Sequence, residues 1–345
     1  MENSMFNFIY NDYDREVYGN ELRDFLPDKI MDAHVHLWGR ELPNFGSHNG
    51  GATWTHAAAD EMTAEQFTSS TKIMFPDKEF SALTFGACLK ELKPCNDYLY
   101  NEAQKLGFPM LMRTSYDMSA DYVEAECKKY GFIGLKPYLT NIPPYIPTEE
   151  IRIFDFLPKE HLELANRNGW IVMLHIARSK RLRDEVNVAQ LMEIEEKYPN
   201  VKLIVAHIGR AYSKQDVGDA FDILGKTKNM YFDFTANVCD DAIRACIEAV
   251  GTKRFMFGSD LPIAIMRFFR TTDPVTGYYY NNIPRGLYPG AEKDPHNRET
   301  DEPATLLIYE QLRAFKRVAG ELKLSDSQIE DVMYGNIKKL VDACK

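Results

Sequence analysis

Residues 30–37, Ile-Met-Asp-Ala-His-Val-His-Leu, decide how the rest of the chain is interpreted. Side chains alternate across a β-strand, so Asp32, His34 and His36 share one face, and the apolar residues between them share the other. A parallel sheet presents such a strand where helices cover its outside and metal ligands converge at its carboxyl end. The stretch therefore predicts a strand that bears metal ligands. A strand with two histidines that bind nothing would show the same pattern of residues.

Short apolar runs alternate with amphipathic stretches along the rest of the chain, which is typical of repeated strand–helix units and a parallel sheet. We predict eight strands, near 30–37, 82–89, 109–115, 132–138, 170–176, 201–207, 230–235 and 254–259. We predict helices near 96–106, 119–129, 155–168, 187–198, 216–226, 240–250 and 303–319, and two shorter ones from Ser325 onward. Two long connections, 38–79 and 261–302, leave the carboxyl ends of the first and eighth strands, where such sheets keep their active sites.

Composition and charge exclude several classes of protein. The 345 residues are 45% hydrophobic, and 41 Lys and Arg stand against 51 Asp and Glu. A net charge of -10 argues against a nucleic-acid partner and against an anionic membrane surface. The six cysteines form no CxxC pair, which indicates reduced thiols and a cytoplasmic location. Residues 1–28 lack the pattern of a signal peptide, and we expect them to cap one end of the fold or to form an oligomer arm.

Three later apolar runs also end in polar residues of the kind that bind metals. Residues 169–175 end in His175, residues 201–209 carry His207, and residues 254–262 carry Asp260. A lone histidine at the end of a strand is more often a polar residue satisfied by the protein than a ligand. Taken together, however, four histidines and one aspartate at the ends of four strands predict a metal centre.

These motifs in combination resemble a known family. The DAHVH run, the two strand-ending histidines, the FGSD run at 257–260 and the closing YGN at 334–336 resemble the amidohydrolase superfamily, in its amidohydrolase-2 branch. That branch includes aminocarboxymuconate-semialdehyde-type decarboxylases and pyrone-dicarboxylate lactonases. The resemblance implies an α/β fold, a single-domain (β/α)8 TIM barrel over 30–345, after an N-terminal extension of 1–29. It also implies His34, His36, His175 and Asp260 as metal ligands, and His207 as a catalytic or polarising group.

The chemistry of these residues agrees with that assignment. Neutral imidazoles and a carboxylate suit one divalent metal ion, which we expect to be Zn²⁺, with Mn²⁺ as the alternative. Such an ion lowers the pKa of a bound water towards about 7. Asp260 would accept the proton of that water and His207 would polarise the substrate carbonyl. The alternatives are a helix N-cap for Asp260 and a supporting buried histidine for His207.

Four cations lie at or just beyond strand ends in a chain that is acidic overall: Arg113, Lys136, Arg178 and Arg210. Because guanidinium groups suit carboxylates, we expect some of the four to hold a small anionic substrate, with surface ion pairs as the alternative. Binuclear relatives carbamylate the fourth-strand lysine to bridge two metals, so Lys136 has that second interpretation. The aromatic and arginine-rich loops 38–56 and 267–288 are expected to form a lid or a subunit interface, with His48 and His56 as non-ligands.

Three functions remain open at the level of sequence. We favour hydrolysis of a lactone, ester or amide in a carboxylate-bearing small molecule, because it needs only an activated water and a proton acceptor. The alternative is non-oxidative decarboxylation of an unsaturated or aromatic carboxylic acid. A metal-binding barrel without catalytic activity is the third possibility, and retention of all five site residues argues against it. The resemblance further implies that a homodimer can form.

Overall fold

The computed structural model describes residues 8–42, 59–87 and 91–344. Eight parallel strands follow one another around a barrel in sequence order. They are β1 Lys29–His36, β2 Glu79–Phe85, β3 Met110–Thr114, β4 Gly134–Pro137, β5 Ile171–Leu174, β6 Lys202–Val205, β7 Met230–Asp233 and β8 Phe255–Met256. The barrel closes where the Ala33 amide donates to the Phe257 carbonyl and the Asp260 amide donates to the His34 carbonyl, both at 2.9 Å. The (β/α)8 barrel is confirmed.

Helices surround the described strands. In chain order they are α1 Asp12–Val17, α2 Ala64–Met74, α3 Leu92–Leu106, α4 Ala120–Tyr130, α5 Ile153–Phe156, α6 Lys159–Asn168, α7 Glu185–Lys197, α8 Lys214–Val217, α9 Ala220–Leu224, α10 Asp240–Val250, α11 Leu307–Glu321, α12 Asp326–Glu330 and α13 Asn336–Asp342. A capping box starts α2, because Thr63 accepts from the Gln66 amide and the Gln66 side chain accepts from the Thr63 amide. Left-handed glycines end α3, α4 and α6, as expected for residues without a Cβ.

The structure corrects three predicted boundaries. The helix predicted over 155–168 is two helices, α5 and α6, because Pro158 lacks the amide that would continue the first one. The helix predicted over 216–226 is likewise divided, into α8 and α9, at Gly218, which has a φ of 53°. The second strand starts at Glu79 instead of residue 82, since Glu79 already pairs with Lys29 although its side chain is exposed.

The connection after β8 contains a second sheet that the sequence did not predict. It consists of β9 Phe269–Thr272, β10 Tyr279–Pro284 and β11 Asn297–Thr300. The middle strand, β10, pairs antiparallel with β9 and parallel with β11. The segment 267–288 therefore contains strands β9 and β10, and its role as a lid or a subunit interface stays a prediction. Most of the loop predicted over 38–56, including His48 and His56, lies outside the described residues.

Residues 8–28 pack on the barrel through a buried ion pair. The Asp14 carboxylate accepts from Nη1 of Arg267 at 2.9 Å and also pairs with Nη2, and the hydroxyl of Thr305 donates to it at 2.6 Å. Asp14 is fully buried and Arg267 nearly so. The contact joins the start of the chain to the segment that follows β8. Within the described residues, no helix is both long and apolar enough to cross a membrane.

Candidate metal centre

Three predicted ligands converge where β1 and β8 meet. The Oδ1 atom of Asp260 lies 3.5 Å from Nε2 of His34 and 3.4 Å from Nε2 of His36. The candidate ligand atoms of the three residues all lie within 4.8 Å of one another. His34 and His36 share the inner face of β1, and closure of the barrel brings the carboxylate beside them. We call these three residues the metal group.

Hydrogen bonds to protein acceptors fix the orientation of the imidazoles. Nδ1 of His34 lies 3.1 Å from Oδ2 of Asp233, and Nδ1 of His36 lies 3.0 Å from the Gly86 carbonyl. Because a carboxylate and a carbonyl only accept here, each Nδ1 carries the hydrogen and each Nε2 keeps its lone pair. This tautomer leaves Nε2 able to bind a metal ion, so the donor set fits a divalent ion.

The charge states of the metal group fit the same conclusion. Burial lowers the pKa of His34 and of His36, and the positive charge of Lys136 lowers both further. Burial alone would raise the pKa of Asp260, but the contact with His36 and the other nearby imidazoles lower it below its usual value. Neutral imidazoles and an ionised carboxylate are the forms that bind metal ions.

His207 and His175 lie beside the metal group. The ring of His207 is centred 4.9 Å from that of His34 and 5.1 Å from that of His175. Nδ1 of His207 lies 3.0 Å from the Thr235 carbonyl, which again leaves Nε2 unprotonated. His175 falls outside the group of three, and its buried Nδ1 has no hydrogen-bond partner among the described residues. The structure therefore brings three of the four predicted ligands together, and the fourth, His175, lies beside His207.

Asp233, which the sequence analysis missed, connects these histidines. Besides holding His34, its carboxylate accepts from the backbone amides of His207 at 2.7 Å and Thr235 at 3.1 Å. Asp233 is fully buried at the end of β7. An aspartate that ends an apolar strand was a visible signal, of the same kind as the histidines that follow β5 and β6.

The backbone beyond the strand ends is strained at several residues other than glycine. A positive φ, between 47° and 72°, occurs at Arg178, Arg181, His207, Ile208, Arg210, Ala236 and Asp260. Each such residue costs about 1–2 kcal/mol relative to the right-handed region. These positions all follow the carboxyl ends of β5 to β8. Residues 207–210 form a left-handed turn, in which only Gly209 adopts its φ without cost.

The four predicted substrate cations have different surroundings. Lys136 is fully buried, and its Nζ lies 4.6 Å from the ring centroid of Phe85, which packs against both metal-group histidines. Arg210 makes no ion pair with any residue that the structure describes. Burial lowers the pKa of His175, and the charges of His207 and Arg210 lower it further. Lys136 and Arg210 therefore act electrostatically on the site.

The other two cations are engaged by the protein itself. The guanidinium of Arg113 is fully buried and donates to the Ala87 carbonyl at 3.0 Å, the Lys136 carbonyl at 2.6 Å and Oδ1 of Asn141 at 3.1 Å. Nε of Arg178 donates to Asp184 at 2.8 Å. These contacts favour a structural role for both arginines, in place of the substrate contact expected from the sequence.

Comparisons with known proteins agree with the fold and identify a family. The model of the family described as Amidohydrolase, in the amidohydrolase-2 branch, matches residues 31–343. The comparison with curated protein sequences found no match. Solved structures with a similar fold include a probable 2-pyrone-4,6-dicarboxylic acid hydrolase from Acinetobacter baumannii with citric acid bound. It has 14% identity, a TM-score of 0.55, and coverage of 91% of this chain and 99% of that one.

Another is a dihydroxybenzoic acid decarboxylase from Polaromonas sp. JS666 with bound manganese and the inhibitor 2-nitroresorcinol. It has 11% identity, a TM-score of 0.57, and coverage of 93% of this chain and 98% of that one. At such identities these likenesses show the fold, whereas the family model spans nearly the whole chain. The chain therefore belongs to the amidohydrolase family, whose members are metal-dependent enzymes, and is itself an enzyme.

Proposed function

We propose that this enzyme is a hydrolase that uses one divalent metal ion to activate water against a lactone, ester or amide bond in a carboxylate-bearing small molecule. The observation that carries the proposal is the convergence of His34, His36 and Asp260 with both Nε2 atoms unprotonated. Zn²⁺ suits this donor set, and Mn²⁺ is the alternative. His175, whose ring centroid lies 5.1 Å from that of His207, is the fourth ligand in this proposal.

A divalent ion bound there would supply a Lewis acid and lower the pKa of a water molecule towards about 7. The residues of the chain perform the other tasks. Asp260, ionised and in contact with both histidines, accepts a proton and delivers it to the leaving group. His207 keeps its Nδ1 on the Thr235 carbonyl. When Nε2 has taken up a proton from solvent, it donates a hydrogen bond to the carbonyl oxygen and stabilises the negative charge that develops there. Lys136 and Arg210 hold the substrate's carboxylate.

Decarboxylation is the second candidate, and the position of Lys136 favours it. Its ammonium group acts on the pKa of every site histidine, so a substrate carboxylate bound to it would lie next to the metal group. The likeness to a dihydroxybenzoic acid decarboxylase is compatible with that arrangement. In this reaction a histidine or Asp260 delivers a proton to the carbon that loses carbon dioxide, and no water is consumed.

Metal content, followed by a substrate panel, tests the proposal. Protein purified without chelator should carry about one equivalent of zinc or manganese, and a His34→Ala/His36→Ala variant should carry none. Two equivalents would assign Lys136 to a carbamate that bridges two metals, and absence of metal after reconstitution would refute the mechanism. Metal-loaded protein is then assayed on carboxylated lactones by proton release and on hydroxybenzoic acids by release of carbon dioxide. Carbon dioxide without water consumption would establish the lyase.

We also propose that the protein's partners are small anionic molecules and a second copy of the chain. The net charge of -10 supports the exclusion of nucleic acid. Sedimentation velocity tests the dimer, and a single monomeric species at micromolar concentrations would contradict it.

A further inference from the structure

Two arginines and two tyrosines form a cluster at the mouth of the barrel. Arg181 follows β5, Tyr212 follows the left-handed turn after β6, and Arg270 and Tyr279 lie on β9 and β10 of the additional sheet. Cζ of Arg270 lies 4.7 Å from the ring centroid of Tyr212 and 4.9 Å from that of Tyr279. Cζ of Arg181 lies 5.2 Å and 4.9 Å from the same rings. We call these four residues the arginine–tyrosine cluster.

The cluster carries more positive than negative charge. Arg181 pairs with Asp216 at 2.7 Å. Arg270 donates only to neutral acceptors, from Nε to Oδ1 of Asn281 at 3.0 Å and from Nη1 to the Ala236 carbonyl at 3.1 Å. Among the residues that the structure describes, no carboxylate pairs with Arg270, and its Nη2 makes no hydrogen bond.

This uncompensated charge is energetically unfavourable. Burial lowers the pKa of Arg270, and the nearby charge of Arg181 lowers it further, while the two tyrosines oppose the change. Aromatic faces stabilise a guanidinium only partly, and neutral acceptors do not cancel its charge. A bound anion would remove the imbalance, and a guanidinium offers a planar pair of donors that matches a carboxylate.

The turn at residues 207–210 joins the cluster to the surroundings of the metal group. The charge of Arg210 acts on His175 on one side and on Tyr212 on the other, where it partly offsets the rise in pKa that burial causes. Along the chain, Arg210 stands between His207, whose ring lies beside that of His34, and Tyr212 of the cluster, whose amide donates to the Arg210 carbonyl at 3.0 Å. The backbone that positions the cluster is also strained, since Arg181 and Ala236, whose carbonyl holds Arg270, both have a positive φ. Such strain is typical of functional positions.

We propose that the arginine–tyrosine cluster binds a second anionic group of the substrate, so that this enzyme acts on a dianion such as a dicarboxylic acid. The inference rests on the proposed function, because the reacting part of the substrate lies at the metal group. Arg270 binds the distal carboxylate, and Arg210 lines the path between the two ends. The additional sheet is then the element that selects the length and charge of the substrate.

Binding of simple acids to the metal-loaded protein tests the proposal. The probes are the dicarboxylates from glutarate to suberate, each paired with the monocarboxylate of equal carbon number, with affinities measured by calorimetry. We expect at least one diacid to bind about tenfold or more tightly than its matched monoacid. Arg270→Gln should reduce that preference to less than about threefold and leave monoacid affinity unchanged. Arg285→Gln is the matched control, because Arg285 lies in the same region but forms an exposed ion pair with Asp301.

Two outcomes overturn the proposal: equal affinity for diacids and monoacids in the unmodified protein, or an equal loss of preference in both glutamine variants. If Arg270→Gln does not fold, Arg270→Lys decides, since it keeps the charge but lacks the planar pair of donors. A preference at least threefold weaker in Arg270→Lys supports the cluster, and an unchanged preference overturns it. Failure of the proposed function is a separate result, because it would appear as absence of metal in the unmodified protein or as release of carbon dioxide in place of hydrolysis.

Discussion

Asp233→Asn tests how far the metal group depends on a residue that would not contact the metal. The carboxylate of Asp233 has two tasks: Oδ2 accepts from Nδ1 of His34, and Oδ1 accepts from the amides of His207 and Thr235. An asparagine keeps the shape but has only one accepting oxygen. If its oxygen faces the two amides, its NH₂ group faces Nδ1 of His34 and favours the opposite tautomer. That tautomer protonates Nε2 and removes the lone pair that would bind the metal.

The reverse orientation of the asparagine amide is also unfavourable. Its NH₂ group would then face two backbone amides, in a fully buried position where an unsatisfied donor is costly. Loss of such a supporting hydrogen bond typically weakens metal binding by about 10–100-fold, which corresponds to about 1.4–2.7 kcal/mol. We expect a change in that range, with the overall fold retained.

Zinc affinity is measured by competition with a chromophoric chelator, and circular dichroism verifies the fold. Asp240→Asn is the control, because Asp240 lies in the helix after the same strand and forms a partly exposed ion pair with Arg317. The control should change zinc affinity by less than about twofold. A change below about threefold in Asp233→Asn would refute the view that this carboxylate fixes the tautomer of His34.

Three further predictions concern stability and the predicted cations. Asp14→Ala removes the carboxylate that pairs with buried Arg267, so the free energy of unfolding, measured in urea, should fall by about 3–5 kcal/mol. The control Asp301→Ala breaks an exposed ion pair with Arg285 and should lower the free energy of unfolding by less than about 1 kcal/mol. Removal of zinc by a chelator should lower the free energy of unfolding by about 2.7 kcal/mol when zinc had been at 100 times its Kd, with no change in the double histidine variant. Arg113→Ala removes three buried hydrogen bonds and should lower the free energy of unfolding by more than about 2 kcal/mol. Arg210→Ala should instead raise KM and change the free energy of unfolding by less than about 1 kcal/mol. Equal losses of stability in the two variants would contradict the separate roles of these arginines.

The barrel was predictable because buried parallel strands consist of runs of apolar residues, which are visible in the sequence. Residues 171–174 and 202–205 are almost entirely buried, so hydrophobicity alone reveals them. The additional sheet gave no such signal, because the side chains of β9 and β11 are half-buried or exposed and mostly polar. The start of β2 was missed for the same reason: hydrogen bonds from the backbone extend the strand beyond its apolar part.

The candidate site was predictable only where chain position determines spatial position. His34, His36 and Asp260 converge because barrel closure places the ends of β1 and β8 together, and a strand count is enough to expect that. The partners of an arginine depend instead on what the neighbouring loops present. Arg113 lies one residue before the end of β3, yet the Ala87 carbonyl after β2, the Lys136 carbonyl within β4 and Oδ1 of Asn141 occupy its donors. No pattern in the sequence around Arg113 indicates which groups accept its hydrogen bonds.

The left-handed turn at residues 207–210 shows how the fold stabilises an unfavourable local geometry. Its three residues other than glycine together cost about 3–6 kcal/mol. Gly209 avoids that cost, and a Cβ there would lie 2.6 Å from Cδ1 of Leu182, so the turn needs glycine for space as well as for its φ. The hydrogen bond from the His207 amide to Asp233 and the bond from Nδ1 to Thr235 offset part of the strain. The same short turn carries His207, whose ring centroid lies 4.9 Å from that of His34, and Arg210, two residues before Tyr212 of the arginine–tyrosine cluster. A right-handed turn would be less strained but would direct these two side chains differently, which is why we connect the strain to function.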